Sequence, residues 1–433
     1  MTVTTSSVTT RSTPPTVRIL SLRFPRETPS GHFPGNTPPD PTDALLGRHA
    51  KFAATRPARG SSSGSVAPPT RWALQSEAGR LLPGKRVASC LKVIAGLDVQ
   101  VYFSAKSGRA SLGGLQTCGS SWDCPVCAAK IAARRTMEVG AEVEVHQRAG
   151  GVPVLLTLTV RHHLHQRLAD LLPAMAMALS RMKAHRRYKK LMAAHGCIGE
   201  TRALEVTHGE NGWHPHVHTI LYLSNLPDLA AFEAEVRALW EWAVVRAGLA
   251  EVNEHGVLAE VVDDKGHVVG RYFGKAATNW TAADELARAN TKQGRAGGRT
   301  PFALLADSLA GDREAGRLFR EYSDAFHGRN QLTRSPGLRE RLLADWTDTA
   351  DTTDEEVAAT PEPDGVLLGI VDVGKWRVVV RLELRAELLE VASCGLWDTV
   401  EAWLACLPEL PRVGGPEGPE RPVGPPGASL LLA

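Results

Sequence analysis

A chain of 433 residues with 50 basic and 47 acidic side chains carries a formal charge of only +3, so bulk charge announces no polyanionic partner. No apolar run reaches the roughly 18 to 20 residues that a bilayer span needs, and the N-terminus lacks the basic, apolar, small-residue order of a secretion signal; a cytoplasmic protein with no membrane partner is the expectation. Seven cysteines, odd in number and unevenly spread, fit a reducing compartment better than a disulfide framework.

Residues 1–70 are rich in Ser, Thr, Pro, Gly and Arg, as in "ARGSSSGSVAPP". Such a stretch buries too little apolar surface to offset its chain entropy and reads as disordered. Residues 71–140 form a Cys-rich segment. Cys118, Cys124 and Cys127 fall within ten residues, and Cys90 lies 28 residues ahead of Cys118, before two expected strands in "LKVIAGLDVQVYF". A Cys-x2-Cys knuckle with further thiols nearby suits a structural zinc ion, because tetrahedral zinc takes four soft ligands on tight turns and leaves no open position for catalysis. Cys197, Cys394 and Cys406 have no such partners and are expected in the core.

Residues 141–346 carry the next and largest domain. "GVPVLLTLTVRHH" (151–163) is a strand by its aliphatic and β-branched content. "LADLLPAMAMALSRMKAHRRYKKLMAAHG" has apolar positions three and four apart and reads as one long helix ended by Gly196. Its second half presents Arg181, Lys183, Arg186, Arg187, Lys189 and Lys190, a local stripe suited to a phosphate backbone, and "AAKIAARR" (128–135) adds a second basic face.

"RALEVTH" and "HPHVHTILYL" alternate like strands around the turn "GENG", so 202–223 reads as an antiparallel hairpin. Alternate residues of a strand share a face, which puts His214, His216 and His218 on one side. With the turn centred on Glu210 and Asn211, Glu205 lies opposite His216 on that side. Two imidazoles and a carboxylate then form a metal-ligand set with positions open for a substrate oxygen. His208 has the other parity and gains nothing from this argument.

Beyond "VVGRYFGKAATNW" the chain is mostly helical to residue 346, with a basic loop at "TKQGRAGGRTP". Residues 347–365 are acidic and then proline-bearing and read as a linker. Residues 366–408 read as a small α+β appendage of two or three strands and a helix, and 409–433 as a disordered tail.

Together, "LLTLTV", "LEVTHGENGWHPHVH", the later "GRYFGK", and the flanking "CGSSWDCPVCAAKIAARR" and "FHGRNQLTRSPGLRERL" resemble the HUH endonucleases, specifically the rolling-circle replication initiators (Rep proteins) of Gram-positive and actinomycete-type plasmids. The resemblance spans about Cys90 to Leu343. It implies an α+β fold: a central antiparallel sheet with flanking helices, here preceded by the Cys-rich zinc segment. It implies a divalent ion, magnesium or manganese, held by His216 and His218, with Glu205 as third ligand, Glu210 a weaker choice, and His214 a flanking histidine. Tyr272 and Lys275 match the family's nucleophile and the lysine three residues later. The implied reaction is origin nicking through a 5'-phosphotyrosyl bond, which frees a 3'-hydroxyl primer. DNA is the implied partner, with host helicase and polymerase. Some relatives carry a glutamate four residues before the tyrosine; here that position is Val268, so the termination residue is unassigned, with Asp263 or Asp264 as substitutes. Two other readings stay open: a related relaxase or transposase, disfavoured because relaxases place their tyrosine ahead of the histidines, and a non-enzymatic zinc-bearing DNA-binding regulator.

Overall fold

Eleven residues from Gly199 to Gly209 (β4) and twelve from Gly212 to Leu223 (β5) form the hairpin around which the larger sheet is built. The computed structural model describes residues 69–263, 268–269, 298–344, 352–361 and 364–409, all within one unit running from Ala67 to Ala433. Tyr272, Lys275 and Asp264 lie outside the described residues, as do residues 1–68 and the tail from 410.

The other strands of this sheet are Val152–Thr159 (β3), Val257–Val262 (β6), Val268–Val269 (β7) and Leu332–Arg334 (β8). The order is β7-β6-β3-β5-β4-β8 and every pairing is antiparallel. The apolar run of β3 follows from its central place, because helices cover both faces. On one face Val154, Leu156, Leu158, Val217 and Leu221 pack against Met175, Met182, Val236 and Trp240, from helices Leu168–Ala184 and Leu229–Arg246. On the other, Leu155, Ala203, Ile220 and Tyr222 meet Val139, Val143, Leu338 and Leu342, from helices Pro125–Arg148 and Leu338–Leu342. Each of those large aliphatic side chains contributes about 1.5–3 kcal/mol on burial.

The expected α+β class with a central antiparallel sheet is therefore present. Further helices are Arg71–Leu81, Arg186–Ala194, Pro301–Leu309, Arg313–Ala325, Asp354–Ala359, Val373–Arg381, Arg385–Ala392 and Trp397–Ala405. In chain order the helices are α1 (71–81), α2 (125–148), α3 (168–184), α4 (186–194), α5 (229–246), α6 (301–309), α7 (313–325), α8 (338–342), α9 (354–359), α10 (373–381), α11 (385–392) and α12 (397–405). No helix among the described residues is long and apolar enough to cross a membrane.

Several expectations are corrected. The helix expected through the basic run is two helices, because His185 takes an extended conformation (ψ 136°) where its ring meets Trp242 edge-on at 4.7 Å, and its Nδ1 accepts from Arg187 N to start α4. The strand expected at "LKVIA" is a set of turns with a single bridge from Ile94 to Leu115; the strands are Val99–Ser104 (β1) and Arg109–Gly113 (β2).

Residues 366–408 are not an appendage. Val366–Val371 (β9) pairs antiparallel with β1 to complete a three-stranded sheet, β2-β1-β9. "WRVVVR" is helical despite its β-branched content: Asp372 caps α10 by accepting from Gly374 N and Lys375 N, and Trp376, Val378 and Val379 are buried. Tertiary burial overrides local propensity there. The Cys-rich segment and this C-terminal stretch share one core, which holds Leu81, Val101, Cys124, Ile131, Val371, Trp376 and Leu388. Cys394 and Cys406 are exposed and so are not core residues, while Cys197 is half-buried and packs against the core.

The acidic stretch read as a linker folds in part. Thr353 and Glu356 form a reciprocal capping box that starts α9, and acidic residues in a first helical turn are favoured by the dipole.

Beneath α2 lies a buried ionic network. Glu142 accepts from Thr201 Oγ1 at 2.8 Å, from the Tyr222 hydroxyl at 2.9 Å and from Arg334 Nε, while Glu138 accepts from Arg135 Nη1 at 2.9 Å and from Arg334 Nη2 at 3.1 Å. Both glutamates are 0% exposed. Burial and the Glu142 charge push the Tyr222 phenol well up, which keeps it a donor. An Arg334→Met chain leaves Glu142 charged without a cation and is expected to lose about 3–5 kcal/mol, read as a lower urea midpoint with unchanged slope.

Candidate metal centre and basic surfaces

The two-residue loop Glu210–Asn211 closes the hairpin, with Gly209 paired to Gly212. Gly212 has φ +88°, and a Cβ there would lie 2.9 Å from Leu164 Cα, so glycine meets both a conformational and a spatial demand. This turn sets the register: Glu205 faces His216, Ala203 faces His218 and Thr207 faces His214.

Three side chains converge. His218 Nε2 lies 3.1 Å and His216 Nε2 3.6 Å from the same oxygen, Glu205 Oε2, and the ligand atoms of all three lie within 4.8 Å of one another. Glu205 is 4% and His218 6% exposed. A carboxylate buried this deeply beside two imidazoles calls for positive charge, which a divalent cation supplies. The neighbouring strand orients the set: Thr157 Oγ1 lies 3.0 Å from His218 Nδ1. Were Nε2 to ligate an ion, the proton would sit on Nδ1 and Thr157 Oγ1 would accept it, a common arrangement behind a ligating histidine.

His214 is outside this group. Alternate residues of a strand are about 6.6 Å apart, so three histidines at period two cannot all meet one ion. His214 instead stacks on His162 at 4.7 Å, from the segment after β3, and meets His216 edge-on at 4.9 Å. Burial, then the neighbouring His216 and His162, pull its imidazole down to about 4, so it is neutral at pH 7. Glu210 is exposed in the turn and takes no part. Thr157 and His162 had no signal in the sequence, because they lie 61 and 52 residues ahead of their partners His218 and His214 and reach the site only through the pairing of β3 with β5.

The four cysteines also converge. Cys90 Sγ lies 3.5 Å from Cys127 Sγ and 3.9 Å from Cys124 Sγ, and Cys118 Sγ lies 3.6 Å from Cys127 Sγ. Thiolates ~2.3 Å from a tetrahedral zinc ion are about 3.8 Å apart, so the set has zinc dimensions and not those of a disulfide. Cys124 is the N-cap of α2, with Pro125 at the first helical position. Backbone N–H groups of Cys118, Ser120 and Cys127 point at sulfur atoms, as does Gln75 Nε2. Hydrogen bonds from Cys118, Cys124 and Cys127 hold the Cys90 thiol far below its usual range, while burial and the neighbouring thiols push the Cys124 thiol well above it, so the four thiols do not all ionise without a cation beside them. Arg385, 1% exposed on α11, donates to Leu91 O at 3.2 Å and to Gln75 Oε1 at 2.6 Å, tying the C-terminal stretch to the cysteine loop.

The basic stripe is divided by the break at His185. Lys183 turns inward onto Glu200, and Arg181 donates to Arg246 O; neither is presented to solvent as an open phosphate contact. Burial and the nearby Arg202 pull the Lys183 ammonium down to about 8 even so. Arg187 is exposed but forks onto Glu235 at 2.9 and 2.6 Å. Arg186, Lys189 and Lys190 are exposed on α4.

Residues 110–226 match the family model Rep_1, described as replication protein. The chain is 30% identical over 352 residues to "Protein rep" of Streptomyces lividans, covering 66% of this chain and 77% of that protein. It is also 31% identical over 179 residues to a "Neomycin resistance protein" of Streptomyces cyanogenus, covering 34% of this chain and 41% of that one. No solved structure gives a significant match. The matched segment starts in β2 and ends just past β5, so it takes in the cysteine knuckle, β3 and the histidine strand, and the longer alignment carries the conclusion: the chain belongs to the Rep family of plasmid replication initiators, of actinomycete type.

Proposed function

We propose that this initiator starts rolling-circle replication by nicking one strand of its plasmid origin. Tyr272 is the nucleophile: its hydroxyl oxygen attacks the phosphodiester phosphorus, the bond to the 3'-oxygen breaks, and the phenolic proton ends on that oxygen. The products are a 5'-phosphotyrosyl bond and a 3'-hydroxyl primer. Lys275 offsets the charge that develops on the phosphoryl oxygens. The convergence of Glu205, His216 and His218 on one point within 4.8 Å carries the reading.

Two imidazoles and one carboxylate would hold magnesium or manganese with positions left open. A divalent ion held there would supply Lewis-acid polarisation of the scissile phosphate. Glu205 brings the negative charge of the ligand set, Thr157 holds the His218 ring with Nε2 free, and His214, neutral and stacked on His162, walls one side. The cysteine set would hold structural zinc. Exposed Arg186, Lys189 and Lys190 would contact the backbone of the origin duplex, and the freed 3'-end would pass to host helicase and polymerase.

Supercoiled plasmid bearing the origin is expected to become open circles in magnesium and to remain supercoiled in excess chelator. Conversion that is unaffected by the chelator would remove the metal from the reading. A Thr157→Val chain, which keeps the strand and loses the hydroxyl behind His218, is expected to bind manganese about 10- to 100-fold more weakly. Titration calorimetry checks it, and equal affinity would show that Thr157 does not orient a ligand.

A further inference from the structure

A cleft of about 910 Å³ opens between the cysteine knuckle, the turn at residues 84–87, the edge of the large sheet at β8 and residues 352–355. Six cations line it: Lys85, Arg86, Arg135, Arg329, Arg334 and Arg339. Opposing them are Asp123, Glu340, Asp354 and Glu355. Two of these four acids lie in the first turn of α9. Behind the wall Arg135, Arg334 and Arg339 also meet Glu138, and Lys85 meets Asp324, so the cations with no carboxylate among the described residues are Arg86 and Arg329.

The segment is fastened to the cationic wall. Arg135 donates to Thr352 O at 2.8 Å and to Asp354 Oδ1 at 2.8 and 3.1 Å. Lys130 donates to Ala358 O at 3.2 Å and to Thr360 O. Glu355 packs over Gly119 of the knuckle so closely that a Cβ on Gly119 would lie 2.8 Å from Glu355 Cα. The basic face "AAKIAARR" thus carries an acidic peptide. Arg86 and Arg329 have backbone carbonyls as their partners, Thr117 O and Ala325 O, and no carboxylate among the described residues.

Hydrogen bonds to carbonyls leave a guanidinium its full charge, and fixed cations around an open cleft attract a polyanion. Trp122 is buried with its Nε1 on Arg329 O, which leaves the exposed His327 as the ring at the cleft. The guanidinium lining suits phosphates.

We propose that this cleft is a second DNA-binding site, which takes the phosphate backbone independently of sequence, and that residues 352–360 are its displaceable acidic cover. The proposal rests on the chain acting on DNA as an initiator and adds where the duplex beside the nick is held. DNA competes with Asp354 and Glu355 for Arg135 and its neighbours, so the cover weakens binding to random sequence and yields to a duplex already held at the origin.

The test is fluorescence anisotropy of a random-sequence DNA duplex against salt, on the full chain. An Asp354→Asn/Glu355→Gln chain is expected to bind about threefold to tenfold more tightly at low salt, and more so than Asp398→Asn/Glu401→Gln, which removes the same charge from exposed positions on α12. Arg86→Gln/Arg329→Gln is expected to flatten the plot of log K against log salt by about 1 to 2 units, with thermal melting confirming that it folds. Amide exchange over 353–360 should rise when duplex is added. Equal gains in both acid-neutralised chains, an unchanged slope, or exchange that is unchanged or slower would each overturn the proposal. A wild type that nicks origin DNA while failing these measurements loses the cleft alone; one that passes them but never nicks loses the nicking reading and keeps the cleft.

Discussion

A Cys127→Ser chain is expected to be isolated without zinc and to melt at least about 10 °C lower than the wild type. Cys127 is 3% exposed, and its sulfur lies 3.5 and 3.6 Å from those of Cys90 and Cys118. A serine there supplies too hard a donor for the fourth position and leaves a buried hydroxyl among thiols. Structural zinc contributes apparent free energies of about 10–16 kcal/mol in zinc-finger peptides at neutral pH, and binding energy of that kind is folding energy. Here the loss spreads, because the cysteines share a core with β1, β9, α10 and α11. Arg385 would lose the ordered Leu91 carbonyl it donates to. The near-ultraviolet signal of Trp376, whose Nε1 donates to Lys92 O at 2.9 Å, should fall together with zinc content. Cys394→Ser, at an exposed position, should change neither. A Cys127→Ser protein with native stability would show that the thiols pack without a metal.

Glu205→Gln is the second change of large effect: it is expected to lower nicking about 1,000-fold or more while leaving the fold intact. The amide keeps the shape of the carboxylate and removes the charge toward which both Nε2 atoms point. Loss of the ion forfeits several kcal/mol of charge stabilisation at the reacting phosphate. Unfolding is not the expected cause, since neutralising a buried carboxylate relieves its desolvation cost. His218→Ala should fall as far, whereas His214→Ala, outside the ligand set, should lose less than about tenfold. Manganese affinity separates the outcomes: it should drop with Glu205→Gln and His218→Ala and hold with His214→Ala. Equal losses in all three would make His214 a ligand and contradict the geometry.

How far the site was legible depended on how local its determinants are. The hairpin register follows from the two-residue turn and the period of two, so Glu205 opposite His216 could be read directly from spacing. The cysteine set was legible from ligand count and the Cys-x2-Cys knuckle, although Cys90 had to be brought in from 28 residues away. His214 shares the face of the ligand pair and was read as a flanking histidine, and strand rise keeps it out of the group formed by Glu205, His216 and His218. Thr157 and His162 are set by the pairing of β3 with β5, which no local pattern announces. The same holds for β9, whose partner β1 lies more than 260 residues earlier. The acidic stretch near 350 resembled a linker because its apolar content is low, and what orders it is Arg135 and Lys130 on α2. The break at His185 was also missed: the positions three and four after Met182 are His185 and Arg186, the apolar series resumes only at Tyr188, and the extended residue there redirects half of the basic stripe.

The most direct test of the central claim is covalent capture. A labelled single-stranded oligonucleotide carrying the nick region of the origin is incubated with the full chain in magnesium, and the mixture is resolved under denaturing conditions. The wild type should carry label that survives denaturant and is released by nuclease, and Tyr272→Phe should carry none. Absence of any adduct in the wild type, or an adduct that persists in Tyr272→Phe, would contradict the account.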